Sequence, residues 1–175
     1  MSTKWPARDP GQTPDITGRP DEPWWTRQAI VWMDEHLTKD MSVLEWGAGA
    51  STPWLAARCG RLRTIEHNLE YAALAAAALR EDGRDPARFN VTVLPLGPAY
   101  YAYRDEQYDA AIIDGRMRVH CCRNAIRMLK PGGILLLDNA ERSQYAEARA
   151  MLAGWPVVET DNGMWRTNIW IKPNA

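Results

Sequence analysis

The stretch from Met41 to Thr52, MSVLEWGAGAST, constrains the fold more than any other part of the sequence. A short apolar run, Val43–Leu44, is typical of a buried strand, and it ends at the carboxylate of Glu45. Gly47 and Gly49 follow, and glycine allows both a tight turn and the close approach of a ligand to the main chain. The pattern predicts a strand, a glycine turn and a ligand site beside that turn.

A helix and a second strand are predicted directly after the glycine turn. Thr52-Pro53 is typical of the N-cap and first position of a helix, and Arg61–Glu66 reads as a strand. Glu66 follows Glu45 by 21 residues, a spacing that suits a carboxylate binding ribose hydroxyls. Ser51 stands near the place where a dinucleotide fingerprint carries its third glycine, which disfavours a pyrophosphate ligand.

VLEWGAGAST, together with TIEHN, resembles the first two motifs of the class I S-adenosylmethionine-dependent methyltransferases, small bacterial members included. In that family the glycine loop passes beneath the methionine part of the cofactor, and the acid after the second strand holds the ribose. The resemblance spans residues 24–171 and implies S-adenosyl-L-methionine as the cofactor. It assigns cofactor binding to Glu45, Trp46, Gly47, Gly49, Ser51, Glu66, His67 and Asp114.

Length and charge narrow the class of protein. A chain of 175 residues suits one domain, predicted over residues 24–175, after a proline-rich N-terminal arm at residues 1–23. The net charge of -1 and the pI near 6.3 give no global positive field for nucleic acid or anionic membrane. The longest apolar run, residues 134–137, is far shorter than the roughly 20 residues of a membrane span, and the N-terminus lacks a signal-peptide core. We therefore expect a cytoplasmic protein.

The chain alternates predicted helices and strands. Helices are predicted over residues 24–37, 53–59, 69–81, 117–129 and 141–152, and strands over 43–45, 61–66, 89–96, 108–113, 134–137, 156–159 and 164–171. This alternation favours a doubly wound, mostly parallel sheet, and the two closing strands favour an antiparallel pair at its edge. We predict an α/β fold with a seven-stranded sheet flanked by helices, which is the Rossmann-like fold that the resemblance implies.

Acidic side chains close four of the predicted strands, at the edge where doubly wound sheets bind ligands. They are Glu45, Glu66, Asp114 and the acid of the Asp138-Asn139 pair. Asp114 with Asp138-Asn139 resembles the ligand set of the cation-dependent O-methyltransferases, which implies a hard divalent ion such as Mg2+ bound by Asp114, Asp138 and Asn139. The chain departs from that pattern at Met117, where the family carries a lysine. Without a metal, Asp114 is a candidate general base.

The sequence Asp114-Gly115-Arg116-Met117-Arg118 predicts arginines at the rim of the same edge. Arg116 and Arg118, with His120 and Arg142, suit a carboxylate, a phosphate or a sugar acid of the acceptor. A solvated basic helix face is the alternative. The predicted catalytic residues are Asp114, Asp138, Asn139 and Arg116.

Two groups of aromatic residues have alternative interpretations. Tyr100, Tyr101 and Tyr103 are suited either to stacking on adenine or to a packed surface loop, and the packed loop is favoured. Trp24 and Trp25 are suited either to closing the cofactor pocket or to packing, and packing is again favoured.

Together these observations predict methyl transfer to an oxygen or nitrogen of a small, polar, anionic acceptor, most simply by an O-methyltransferase. The absence of an Asn/Asp-Pro-Pro-Tyr motif disfavours a nucleic-acid acceptor. Two alternatives stay open, namely a nicotinamide-dependent oxidoreductase and a non-catalytic, cofactor-binding partner protein. The sequence leaves open the acceptor and the choice between a monomer and a homo-oligomer.

Overall fold

The computed structural model describes residues 22–103 and 106–174. The predicted N-terminal arm lies outside the described residues, apart from its last two positions. The helices are α1 (Arg27–His36), α2 (Ser51–Ala56), α3 (Leu69–Glu81), α4 (Pro98–Tyr101), α5 (Arg118–Met128) and α6 (Ala146–Met151). The strands are β1 (Ser42–Trp46), β2 (Arg61–Glu66), β3 (Phe89–Val93), β4 (Tyr108–Ile113), β5 (Leu129–Asp138), β6 (Val157–Asp161) and β7 (Arg166–Ile171).

The strands form one seven-stranded sheet in the order β3-β2-β1-β4-β5-β7-β6. The pairs among β1 to β5 are parallel, whereas β7 is antiparallel to both β5 and β6. The predicted α/β fold with an antiparallel closing pair is therefore confirmed. Because Asp138 is in register with Thr167, the turn between β6 and β7 lies at the same edge as the carboxyl end of β5.

Strands β2 and β4 and helix α3 have the predicted limits, and the short helix α4 lies in a segment that was predicted as a loop. The other limits differ, three of them for clear local reasons. Helix α2 begins at Ser51, two residues earlier than predicted, because the Thr52 hydroxyl bonds Glu45 instead of acting as the N-cap. Strand β5 begins at Leu129, where the backbone turns directly from α5 into extended conformation. The helix predicted over residues 141–152 is divided into a 3-10 turn at Ser143–Tyr145 followed by α6.

Both faces of the sheet are covered by apolar side chains. Leu44 and Trp46 of β1 belong to a cluster with α5, and Val43 of the same strand belongs to a second cluster with α1. Burial on both faces explains why the central strands read as continuous apolar runs. Within residues 22–103 and 106–174, none of the helices has the length and hydropathy needed to cross a membrane.

Candidate active site

The glycine loop after β1 is held in place by a buried carboxylate. Glu45 is fully buried, and it accepts hydrogen bonds from the hydroxyls of Ser51, Thr52 at 2.8 Å and Thr64 at 2.7 Å. Burial raises the pKa of Glu45 to about 7, although the three hydroxyls act in the opposite direction. Glu45 and Ser51, both predicted to bind cofactor, thus turn their side chains into the protein and shape the loop from within.

The two loop glycines have different roles. Gly47 has a φ of +102°, and a Cβ there would lie 2.6 Å from the Cα of Gly115. The missing side chain at Gly47 therefore allows the loop after β1 to contact the loop after β4. A Cβ at Gly49 would have no neighbour closer than Ser51 Oγ at 4.0 Å. The predicted room for a ligand is thus found at Gly49, whereas at Gly47 it is filled by Gly115.

Glu66 ties the end of β2 to the glycine loop. Its Oε2 accepts the Ala48 N–H at 2.8 Å, and its Oε1 accepts the N–H groups of His67 and Asn68, each at 2.7 Å. His67 Nδ1 also lies 2.7 Å from Oε1. An ionised carboxylate has about four acceptor positions, so Oε2 keeps capacity for one more donor, such as a ribose hydroxyl.

Three main-chain donors of the glycine loop form hydrogen bonds within the protein. The Gly47 N–H bonds the Ile65 carbonyl at 2.9 Å, the Ala48 N–H bonds Glu66, and the Gly49 N–H bonds Thr52 Oγ1 at 3.2 Å. A ligand beside Gly49 therefore meets an open backbone surface and the Glu66 carboxylate, and these three donors are committed elsewhere.

At the ends of β4 and β5, one guanidinium lies between two carboxylates. Arg118 Nη2 donates to Asp114 Oδ1 at 3.0 Å, and Arg118 Nη1 is 3.8 Å from Asp138 Oδ2. The same side chain donates to the main-chain carbonyls of Asp114, Gly115 and Asp138. Arg118 is 7% exposed, so its predicted place on an exposed basic rim is wrong. Arg116 is exposed, as predicted.

The predicted metal ligands do not fit a divalent ion in this arrangement. The guanidinium of Arg118 occupies the region between Asp114 and Asp138, and Asp138 Oδ1 accepts the Thr167 hydroxyl at 2.7 Å. Burial and the nearby Asp114 carboxylate raise the pKa of Asp138 well above its ordinary value, against the opposing effect of Arg118. The described residues also contain no group of three His, Cys, Asp or Glu side chains placed to hold a metal.

The segment before α1 reaches the same edge of the sheet. Trp25 is 2% exposed, its Nε1 donates to Asp114 Oδ2 at 3.3 Å, and its ring packs edge-on against Trp54. The next residue, Thr26, donates its N–H to Thr167 Oγ1 at 3.0 Å. Thr167 in turn donates to Asp138, and Arg118 links Asp138 to Asp114. These contacts connect the segment before α1 to the ends of β4 and β5 in a closed ring.

Tyr100, in the tyrosine-rich segment, contacts both the end of β1 and the loop after β4. Tyr100 is fully buried, its carbonyl accepts the Trp46 Nε1–H at 2.9 Å, and its Oη accepts the Arg116 N–H at 3.2 Å. Burial raises the pKa of Tyr100 above its usual value. The packing interpretation is thus confirmed for Tyr100. Trp46, predicted to bind cofactor, is also fully buried, and its carbonyl accepts the Asp114 N–H at 3.0 Å.

No protein-family model matches the chain, and no curated protein matches its sequence. Solved structures do match. An rRNA methylase from Streptococcus thermophilus is 13% identical with a TM-score of 0.67, over 85% of this chain and 95% of that one. The precorrin-6y C5,15-methyltransferase from Geobacter metallireducens is 17% identical with a TM-score of 0.64, over 84% and 87%. The N-methyltransferase NodS from Bradyrhizobium japonicum is 16% identical with a TM-score of 0.58, over 84% and 93%.

The chain has the class I methyltransferase fold. Its sheet differs from that of the dinucleotide-binding Rossmann domains, whose usual order is 3-2-1-4-5-6. Here β7 is inserted antiparallel between β5 and β6. The sheet order thus distinguishes this fold from the usual dinucleotide-binding fold, although both have a glycine turn after β1 and an acid after β2.

Several residues of this methyltransferase-fold site were missed in the sequence. Thr64 faces Glu45 across paired strands and Thr167 faces Asp138 in the same way, so neither can be identified before the register is known. Arg118 was identified in the sequence as a candidate for acceptor binding, but its place between Asp114 and Asp138 depends on how α5 packs against the ends of β4 and β5.

Proposed function

We propose that this protein transfers the methyl group of S-adenosyl-L-methionine to an oxygen or nitrogen of a small polar acceptor. The observation that carries the proposal is the pairing of Glu66 with the open backbone at Gly49 at the carboxyl edge of a class I methyltransferase sheet. Structures with this fold include, by their names, an rRNA methylase and an N-methyltransferase, so the fold alone does not select the acceptor atom.

The residues at this edge suit the proposed cofactor. Gly49 offers a backbone surface without a side chain, and Oε2 of Glu66 retains room for a ribose hydroxyl. The carboxylates of Glu66 and Asp114 add negative charge, which favours a sulfonium cation nearby. When bound, the cofactor supplies the electrophilic methyl group.

Asp114 is the proposed base for an acceptor hydroxyl. Its side chain is 22% exposed, whereas those of Glu66 and Asp138 are only 5% exposed. Arg118 holds Oδ1 and the Trp25 indole holds Oδ2, so the carboxylate is fixed in orientation. With cofactor bound, Asp114 would accept the proton that the acceptor hydroxyl loses on methylation. The chain's main contribution is to align the acceptor and exclude water.

Calorimetric titration tests the cofactor assignment. We expect S-adenosylmethionine and S-adenosylhomocysteine to bind, and NADH not to bind. Glu66→Ala should weaken S-adenosylhomocysteine binding by about tenfold or more, since a hydrogen bond to a charged group contributes about 1.5–3 kcal/mol. Glu70→Ala, an exposed acid four residues later, is the matched control and should bind normally. Binding of NADH alone would establish the oxidoreductase alternative.

Turnover with a library of acceptors, with and without chelator, tests catalysis. We expect methylation of at least one small polar compound at a rate that chelator does not change. Asp114→Asn should lower turnover while leaving S-adenosylhomocysteine affinity unchanged. Cofactor binding without any turnover across the library would favour a non-catalytic, cofactor-binding protein.

A further inference from the structure

The glycine loop after β1 begins and ends beside one buried carboxylate. It leaves β1 next to Glu45 and returns at the first two residues of α2, whose hydroxyls both donate to Glu45. Thr64 of β2 supplies the third hydroxyl, so all three side chains that donate to this fully buried acid are neutral. Burial of a charge among neutral donors is unfavourable, and the folded protein therefore holds the proton of Glu45 more tightly than water does.

The Thr52 hydroxyl connects Glu45 to the backbone at Gly49. It donates to Glu45 Oε2 at 2.8 Å, and its oxygen accepts the Gly49 N–H at 3.2 Å. Gly49 is also the place where the loop backbone is open, since a Cβ there would have no neighbour closer than 4.0 Å. A change at the carboxylate therefore reaches, through a single hydroxyl, the backbone that a ligand would contact.

The donors around Glu45 fit its ionised form. A carboxylate has about four acceptor positions, and the three hydroxyls fill three of them. A proton on Glu45 adds a fourth donor to this buried group and removes an acceptor position, so a hydroxyl has to turn in order to accept it. Two of the three hydroxyls belong to Ser51 and Thr52, which hold the returning end of the loop.

We propose that Glu45 is a positioning residue whose ionisation orders the glycine loop at Gly49 through the hydroxyl of Thr52, and that cofactor binding expels its proton. The contact through Thr52, here called the hydroxyl relay, does not depend on the proposed function, whereas the link to the cofactor rests on it. Burial raises the pKa of Glu45 to about 7, against the opposing effect of the hydroxyls. We therefore expect the hydroxyl relay to respond to pH near 7.

Other titratable groups lie near the hydroxyl relay. The carboxylate of Asp114, after β4, also raises the pKa of Glu45 by its charge. Burial raises the pKa of the Cys59 thiol, after α2, to about 11, so this thiol is neutral near pH 7. His67, after β2, reaches the loop by a separate route, because it contacts Glu66, whose carboxylate accepts a main-chain N–H of the loop.

Nuclear magnetic resonance of the unliganded protein tests the source of the pH response. The amide signal of Gly49 should shift as the pH is raised through 7 in the wild-type protein and in His67→Gln, and it should not shift in Glu45→Gln. The Gly47 N–H is the internal control, because it bonds the Ile65 carbonyl at 2.9 Å and should shift much less.

A matched pair of variants tests the route through Thr52. Thr52→Val and Thr64→Val each replace one hydroxyl donor of Glu45 by a methyl group. Thr52→Val should remove the shift at Gly49. Thr64→Val should retain that shift and move its midpoint to higher pH, because the ionised carboxylate loses a donor outside the loop. Dispersed amide spectra identify the variants that are folded.

Calorimetric titration with S-adenosylhomocysteine tests the link to the cofactor. Its affinity should be about fivefold lower at pH 6 than at pH 7, since the ionised fraction of a group with a pKa of about 7 falls by that factor. Proton release on binding, measured at pH 6 in two buffers of different ionisation enthalpy, should occur in the wild-type protein and be absent in Glu45→Gln.

The outcomes separate this proposal from the proposed function. A Gly49 signal that does not shift, or that shifts equally in Glu45→Gln or in Thr52→Val, overturns the hydroxyl relay. Binding of S-adenosylhomocysteine that is independent of pH and releases no proton overturns the link to the cofactor. A shift at Gly49 without any S-adenosylhomocysteine binding supports the hydroxyl relay and removes the methyltransferase assignment instead.

Discussion

The two halves of the sheet edge stabilise their acids in different ways. At the ends of β1 and β2, Glu45 is surrounded by hydroxyls and Glu66 by main-chain N–H groups, so the partners are mostly neutral donors. At the ends of β4 and β5, Asp114 and Asp138 share the guanidinium of Arg118. In the half proposed to hold a cationic cofactor, the carboxylate of Glu66 is thus contacted mainly by neutral donors. The half proposed to face the acceptor has an internal cation instead.

Removing the shared cation should have the largest effect. Arg118→Met leaves Asp114 and Asp138 close together without a counter-charge, and breaking a buried ion pair costs about 3–5 kcal/mol. Denaturant unfolding measures the loss. Arg123→Met on the same helix is the control, because its pair with Glu147 is exposed and should contribute about 1 kcal/mol or less.

A double variant sharpens this prediction. Asp138→Asn in the Arg118→Met background removes one of the two carboxylates and should recover part of the lost stability. Equal losses for Arg118→Met and Arg123→Met would show that the two halves of the edge do not differ as described.

The neutral-donor half should have a pH signature. The pKa of Glu45 is about 7 in the folded protein against 4.5 for an ordinary glutamate, so the folded state binds this proton more tightly. Stability should therefore fall as pH rises from about 4.5 to about 7, by about 3 kcal/mol in total. Glu45→Gln should lack this decline. The difference in unfolding free energy between the two proteins, measured across that range, tests it, and a constant difference would contradict it.

A smaller effect is expected from the tryptophan that reaches Asp114. Trp25→Phe keeps a ring against Trp54 but removes the Nε1 donor, and it should cost about 1 kcal/mol of stability. Turnover should fall as well, because Asp114 loses the contact that orients Oδ2. Trp24→Phe, at a position 40% exposed, is the control and should change neither quantity measurably. A normal rate for Trp25→Phe would remove this residue from the positioning of Asp114.

The smallest expected effect is that of metal. Since Arg118 occupies the region between the two carboxylates, Mg2+ should not raise the melting temperature of the protein, and chelator should not lower it. A melting temperature that rises with Mg2+ and saturates would restore the predicted metal site at Asp114, Asp138 and Asn139.

The sequence was sufficient for the order and type of the seven strands and of the longer helices, but not for the short helix α4, which lies in a segment predicted as a loop. Strand β2, strand β4 and helix α3 have the predicted limits, because each is a continuous pattern with clear ends. The sequence also identified the acids at the carboxyl ends of the strands. The alternation of helices and strands along the chain is enough to bring those ends to one edge of the sheet.

The partners of those acids were decided by the tertiary structure. Glu45 is bonded by Thr64 because the register of β1 and β2 places the two residues opposite each other. Gly47 lies against Gly115 because the loop after β1 contacts the loop after β4. Asp114 and Asp138 could hold either a metal or a cationic side chain by composition, and only the packing of α5 turns Arg118 inward. Local chemistry thus determined where carboxylates gather, while long-range packing determined which donor neutralises each one, because that choice depends on distances between residues far apart in the chain.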